Sequence, residues 1–246
     1  MESGYYAALT GLLARTQALD VIANNLANTA TAGYKAQREF YSALTASSNA
    51  AQLSPLNRAV NDYSVLGGMG LDLSQGNLQP TGNPLDLALQ GGGFFVANTP
   101  RGVRYTRNGH FHLSTRGILL SDTGDPILDP RGKPVRLPAG PVTVSPDGTI
   151  SADGAIVAKL QIANFAAGVA LTPEGASYFA APAGAARPAA AASVVQGSLE
   201  QANLSPIEGM VGLIELQRNA ELLQKALTTF DRDFNQTAVT DLPHIS

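Results

Sequence analysis

The sequence predicts an α+β protein whose terminal helices pair as an antiparallel coiled coil around an inserted, mainly β domain. Near the start, Leu9, Leu12, Thr16, Leu19, Ala23 and Leu26 recur at alternating spacings of three and four, which puts one stripe on a helix. Near the end, Leu213, Leu216, Ala220, Leu223, Leu227, Phe230 and Phe234 follow the same spacing, the seam of a coiled coil. Between them, short apolar runs alternate with turn pairs, as in an antiparallel sheet. Seam halves at opposite ends of a chain must bring those ends together, so the middle is carried as an insertion. That arrangement points to an assembly subunit before it points to an enzyme.

Taken in order, residues 1–34 hold the first helix, predicted from about Ser3 to Asn28 and broken at Gly33, where a turn needs backbone freedom. Its only charges after Gly4 are Arg15 and Asp20, and its outer face carries Gln17, Ala18, Asn24 and Asn25. A helix meant for water carries more charge, so these sides are expected to meet protein. Residues 35–80 form a connecting segment, with a short helix expected over 35–46, a loop over 47–61 and a flexible stretch at Gly67, Gly68 and Gly70.

Residues 81–180 form the inserted antiparallel domain. Strands are predicted at 85–89, 94–97, 103–106, 111–113, 118–120, 142–144 and 156–165, with Asn108-Gly109 as the strongest hairpin signal and Asp147-Gly148 and Asp153-Gly154 repeating it. Residues 181–204 open on an Ala- and Pro-rich return linker. In 205–246, Ser205, Pro206 and Glu208 supply cap, first helical position and capping-box acid for a helix running to about Asn235.

Composition narrows the function classes. Charged residues are 14% of 246, well below the roughly one quarter usual in soluble proteins, so neutral polar surface replaces charge. A net charge of −3 argues against nucleic-acid binding. Zero cysteines remove disulfides, thiolate metal sites and Cys nucleophiles. No run reaches the roughly 18 apolar residues of a membrane helix, and the first residues lack the basic start of a secretory signal.

Catalytic candidates are few. His110 and His112, two apart on a predicted strand, lack a third ligand at a recognisable spacing and read as surface residues. Gly91-Gly92-Gly93 lacks the Lys-Ser or Lys-Thr and following helix of a phosphate loop and reads as a turn or bulge. Arg101, Arg104, Arg107 and Arg116, interleaved with Tyr105 and Phe111, read as a polar contact with a neighbouring subunit. The expectation is no catalytic, cofactor or metal site. The candidate functional residues are the seam positions Leu9, Leu12, Leu19, Leu26, Leu213, Leu216, Leu223, Leu227, Phe230 and Phe234.

Several segments resemble one family in the correct order. LDVIANNLANTATAGYK at 19–35 resembles the amino-terminal signature of the bacterial flagellar rod and hook proteins. GNPLDLALQGGGFFV at 82–96 and RYTRNGHFHL at 104–113 resemble the middle of the rod proteins, and VQGSLEQANLSPIEGMVGLIELQRNAE at 195–221 resembles their carboxy-terminal signature. Length and the start MESGYYAAL look most like the proximal-rod type; distal-rod and hook subunits are close relatives, and Glu2 stands where the distal-rod type tends to carry a basic residue.

The resemblance implies a subunit exported unfolded by the flagellar type III apparatus, without a cleavable signal, and polymerised with other rod and hook proteins in a helical assembly within the periplasm. The alternative from the residues alone is a soluble module whose β domain binds glycan or protein.

Overall fold

The computed structural model describes the backbone of residues 2–42, 65–175, 177–189 and 192–241. The chain is α+β and divides into a helical unit (1–26, 37–70 and 205–246) and a β unit (27–36 and 71–204).

In the helical unit, α1 spans Glu2–Ala27 and α2 spans Pro206–Asp241. Ser205 caps α2: its Oγ accepts the Glu208 amide at 3.4 Å and its carbonyl accepts the Gly209 amide at 2.9 Å. Strands β1 (Gln37–Ser42) and β2 (Val65–Leu71) pair as a two-stranded sheet. The short helix expected from residue 35 is therefore a strand through Ser42. Asn25 explains where it starts: its side chain accepts the Gln37 amide at 3.0 Å and donates to the Gln37 carbonyl at 2.8 Å, occupying both backbone groups. Gly67, Gly68 and Gly70 lie within β2 rather than in a flexible stretch. The loop expected over 47–61 falls outside the described residues.

In the β unit the strands are β3 (Leu78–Pro80), β4 (Leu87–Gln90), β5 (Phe94–Thr99), β6 (Gly102–Thr106), β7 (Phe111–Leu113), β8 (Leu119–Ser121), β9 (Val142–Val144), β10 (Thr149–Ala152), β11 (Ala155–Lys159), β12 (Ile162–Phe165), β13 (Thr172–Glu174), β14 (Tyr178–Ala180), β15 (Ala186–Pro188), β16 (Ser193–Gln196) and β17 (Ser198–Glu200). A six-stranded antiparallel sheet has the order β13-β14-β6-β5-β12-β15, and a three-stranded one the order β11-β10-β9. The stretch read as a return linker contains three short strands. Strand β15 pairs with β12, while β16 and β17 reach back to β4 and β3.

Residues 111–149 are built on a spacing that hydrophobic alternation does not reveal. Phe111, Leu119, Ile127 and Val135 stand eight apart and are all buried. The last three close a ring of backbone bonds: Leu119 N–H to Val135 O, Ile127 N–H to Leu119 O, and Val135 N–H to Ile127 O, at 2.8–3.0 Å. Each step is made possible by the same five-residue turn, 114–118, 121–125 and 129–133, repeated at 145–149. In every copy the fourth residue is a glycine at positive φ (Gly117, Gly124, Gly132, Gly148) whose amide bonds the first residue's carbonyl. Ser114 Oγ, Ser121 Oγ and Asp129 Oδ1 accept amides within their own turns.

Asn108-Gly109 is a corner and not a hairpin. Strand β6 pairs with β5 and β14, and β7 with β8. The Gly109 carbonyl accepts the Leu87 amide at 3.0 Å, and a Cβ on Gly109 would overlap the Leu87 carbonyl. The glycine serves close approach rather than a positive φ.

The apolar run over 156–165 is two strands. It breaks where the amides of Leu160 and Gln161 leave the ladder for Gly148 O and Leu128 O. The core centres on Leu87, Leu89, Phe95, Phe111, Leu119, Ile127, Val135, Ile150 and Leu160, with Phe95 and Phe111 edge to face at 5.1 Å.

These two kinds of glycine differ in cost. Gly109→Ala is expected to destabilise the β unit by about 3 kcal/mol or more through overlap. Gly132→Ala, at φ +73° with open space around it, should cost only about 1–2 kcal/mol. Urea unfolding of the full chain checks the order, and equal losses would contradict it.

Candidate assembly interface

The helical unit carries the residues proposed from sequence for assembly. Leu12, Leu19 and Leu26 are half-buried in α1, and Leu213, Leu216 and Leu227 are half-buried in α2. Leu9, Leu223, Phe230 and Phe234 have side chains outside the description. Ala220 is buried, but Thr16 and Ala23 are exposed, and the most buried α1 positions are Ala18 and Val21, which lie off the stripe. Thr16 is satisfied within its own helix by a bond to the Leu13 carbonyl.

The covered face of α1 is therefore turned from the one the spacing selected, and it includes Ile22. The Leu26 and Ile22 methyl groups stand 3.8 and 3.3 Å from where Cβ atoms of Gly209 and Gly212 would sit. Those glycines remove the side chains that would hold the two helices apart.

The opposite face of α2 is apolar as well. Ile207, Met210, Val211, Ile214 and Leu222 are 47 to 71% exposed, joined by Leu13 of α1 at 58%. Spacings of four, three and eight from Ile207 through Val211 and Ile214 to Leu222 keep four of them on one helical face. Exposed apolar stripes of this kind mark surfaces that meet other protein.

The β unit holds a second feature that sequence reasoning missed. Glu200, fully buried, lies between Lys35 and Arg107: Lys35 Nζ is 2.6 Å from its Oε1 and Arg107 Nη1 is 3.0 Å from its Oε2. The Gly76 amide donates to Oε1 at 2.9 Å, and the Gly33 amide donates to the Glu200 carbonyl at 2.7 Å. Lys35 also donates to Ser74 O at 2.7 Å, and Arg107 Nη2 to Gly91 O at 2.8 Å.

The Arg107 guanidinium also sits over the Phe94 ring at 5.2 Å. Arg107 is thus an internal ion partner rather than a surface contact. Gly91 is the turn residue that receives it. Arg101 and Arg104 reach Glu174 at 3.2 and 3.0 Å and hold its carboxyl below the usual range, Arg104 most strongly. Of the four arginines, only Arg116 stays on an exposed turn with no ion partner among the described residues.

Two cations against one carboxylate leave an excess charge. Burial pushes the Lys35 ammonium below its ordinary value, against the opposing pull of Glu200 and, more weakly, Asp72. A signal for the cluster was present in the sequence. Glu200 is the only charged residue between Arg187 and Glu208, and Lys35 the only one between Asp20 and Arg38. A lone charge in a long neutral stretch is either solvated or paired in the core.

His110 Nδ1 lies 2.8 Å from Asp86, which also accepts from Thr81 and Asn83. Among the described residues no three His, Cys, Asp or Glu side chains converge as metal ligands.

A long terminal helix with an uncovered apolar stripe, in a chain whose β unit is tied together by buried charge, points to a subunit that packs against other protein. Comparison with known proteins agrees. Residues 6–35 match the flagella basal body rod protein family, 88–158 the flagellar hook protein FlgE/F/G D1 domain, and 195–238 the flagellar basal body rod FlgEFG protein C-terminal family. The basal-body rod protein FlgF of Mesorhizobium japonicum is 31% identical over 90% of each chain. That of Caulobacter vibrioides is 30% identical over 100% of each, and FlgG of Agrobacterium fabrum is 31% identical over 91% of this chain and 94% of its own. The chain belongs to the flagellar basal-body rod protein family, as a FlgF-like member.

The ion cluster yields two predictions. Glu200→Gln leaves two cations buried without a counter-charge and is expected to cost about 3–5 kcal/mol, whereas Lys35→Met keeps the Arg107 pair and should cost clearly less in urea unfolding. Because the folded-state value of Lys35 lies below its ordinary 10.5, the unfolded chain binds more protons in the window between the two. The contribution of Lys35 is complete above 10.5 and is lost as pH falls through the folded-state value. Tyr34, Tyr105 and Tyr178, raised by burial, act oppositely at high pH. The wild-type minus Lys35→Met difference removes them, and it should move in favour of wild type as pH rises through that window.

Proposed function

We propose that the chain is a structural, non-enzymatic subunit of the flagellar basal-body rod, which polymerises through its terminal helices and transmits torque. The observation that carries this reading is the uncovered apolar face of α2 at Ile207, Val211, Ile214 and Leu222. Burying one such side chain against a neighbour is worth about 1.5–3 kcal/mol, so a few per subunit suffice to drive association.

An antiparallel coiled-coil pairing of α1 with α2 completes the proposal. Leu26 lies near Gly209 and Ile22 near Gly212, so one helix ascends as the other descends. The half-buried Leu19 and Leu216 continue that order. The partners are further copies and other flagellar rod and hook proteins, and delivery is by the flagellar export apparatus. In the isolated subunit we expect the helix ends to be more labile than the β unit, since Ala18, Gly209, Gly212 and Ala220 make a light seam.

Ile214→Asp replaces a side chain already 53% exposed. It should leave the stability of the isolated chain within about 0.5 kcal/mol while abolishing rod assembly and motility. Leu216→Asp should abolish assembly too, but with weaker helix protection in amide exchange and an unchanged β-unit transition. Normal swimming of either variant would contradict the reading.

A further inference from the structure

The chain passes between the two units four times, at 26/27, 36/37, 70/71 and 204/205. Inside the β unit, the segments that adjoin these crossings are bonded to one another rather than simply to the nearest sheet. Residues 33–36, 72–76 and 200–203 meet at two side chains. Glu200 accepts from Lys35 and Gly76 through Oε1 and from Gly33 through its carbonyl. Asn203 Oδ1 accepts the Ala36 amide at 2.8 Å, while its Nδ2 donates to Asp72 O at 2.7 Å and Ser74 O at 3.1 Å. The Asp72 amide closes the set by donating to Ala36 O at 2.8 Å.

A Cβ on Gly33 would overlap the backbone of Arg107 and Asn108, and one on Gly76 the Gln201 carbonyl. The segments are in backbone contact with no space to slide.

We infer that Lys35, Glu200 and Asn203 are positioning residues of a junction that holds the entering and leaving segments of the β unit as one rigid body, through which torque passes between helical and β units in the assembled rod. The torque half rests on the rod reading above; the junction itself does not. Separate crossings would each turn about their own backbone dihedrals and take load unequally. Here a pull on any segment is shared, because Glu200 and Asn203 each bond to two others. The low-dielectric surroundings of Glu200 make partial opening costly, since each donor withdrawn leaves buried charge less compensated.

The test is amide hydrogen exchange, read residue by residue on the purified full chain. Asn203→Ala directly removes the acceptor of only one amide, Ala36. If the junction is a single body, the amides of Gly33, Ala36, Asp72 and Gly76 should all exchange faster, by about tenfold, while those of Leu119, Ile127 and Val135 stay as in wild type. Acceleration confined to Ala36, or equal acceleration of the core amides, overturns the inference. Should Asn203→Ala fail to fold, Asn203→Asp keeps the acceptor and loses the donors, and the same amides decide.

The torque half is read in motile cells against Ile150→Val, a core change remote in sequence from the junction. Cells with Asn203→Ala should swim as the control does in thin medium and lose speed more steeply as viscosity rises. Equal curves overturn the torque role and leave the rod reading standing, whereas absence of the wild-type chain from basal bodies would remove the rod reading and leave the exchange result untouched.

Discussion

The β unit depends on keeping one carboxylate, that of Glu200, out of water. An isolated buried carboxylate is untenable, and this one persists because a lysine, an arginine and the Gly76 amide converge on its two oxygens. Those donors come from positions 35, 107 and 76, so the requirement reaches across most of the domain. It places Gly33 and Gly76 where nothing larger fits, and it sets Arg107 against the Gly91 carbonyl and the Phe94 ring. The glycine run between β4 and β5, the corner after β6 and the final strand β17 can be understood as the enclosure this carboxylate needs. Replacing a buried ion cluster with apolar side chains of similar volume is often neutral in free energy, so what the charges supply is direction.

The helices follow the opposite strategy. Their contacts are apolar and non-directional, and the side chains that would fix a single register are small: Gly209, Gly212, Ala18 and Ala220. Such a contact lets the two helices adjust slightly, and the exposed stripe at Ile207, Val211, Ile214 and Leu222 is equally non-directional toward neighbours, as the proposed shaft made from several related proteins requires. The β unit has a buried ion cluster and a bonded backbone, and it tolerates no comparable adjustment. Within one chain, an adaptable surface and a rigid body are thus encoded by different physical interactions.

What was legible in the sequence follows this division. The helices could be read because an apolar stripe repeats locally, and the Ser205-Pro206 start because a cap is a local device; strands such as β5 and β6 were legible for the same reason. The face of α1 that is covered was not, since the buried Ala18 and the exposed Ala23 are the same residue type and differ only in what lies opposite. The eight-residue spacing of Phe111, Leu119, Ile127 and Val135 matches neither the strand period of 2 nor the helix period of 3.6, although the glycines at 117, 124, 132 and 148 mark its turns. Asn108-Gly109 misled because the same dipeptide serves a tight turn and a close backbone approach. Lys35 and Glu200 are separated by 165 positions, and nothing local joins them beyond their isolation from other charge.

That separation bears on when the molecule can fold. Contacts distant in sequence carry a loop-closure cost that is met before they return any stability, so topologies that depend on them form late. The strands that close the β unit, β16 and β17, are among its last, and β17 brings Glu200. Until they are present, Lys35 and Arg107 have no carboxylate to pair with, and a compact state enclosing them would bury two like charges together. A chain that leaves its cell unfolded, as the proposed function requires, needs a domain that resists premature closure. Placing the counter-charge near the far end of the domain opposes early closure in this way. The same ion pair that holds the finished junction also penalises the unfinished one.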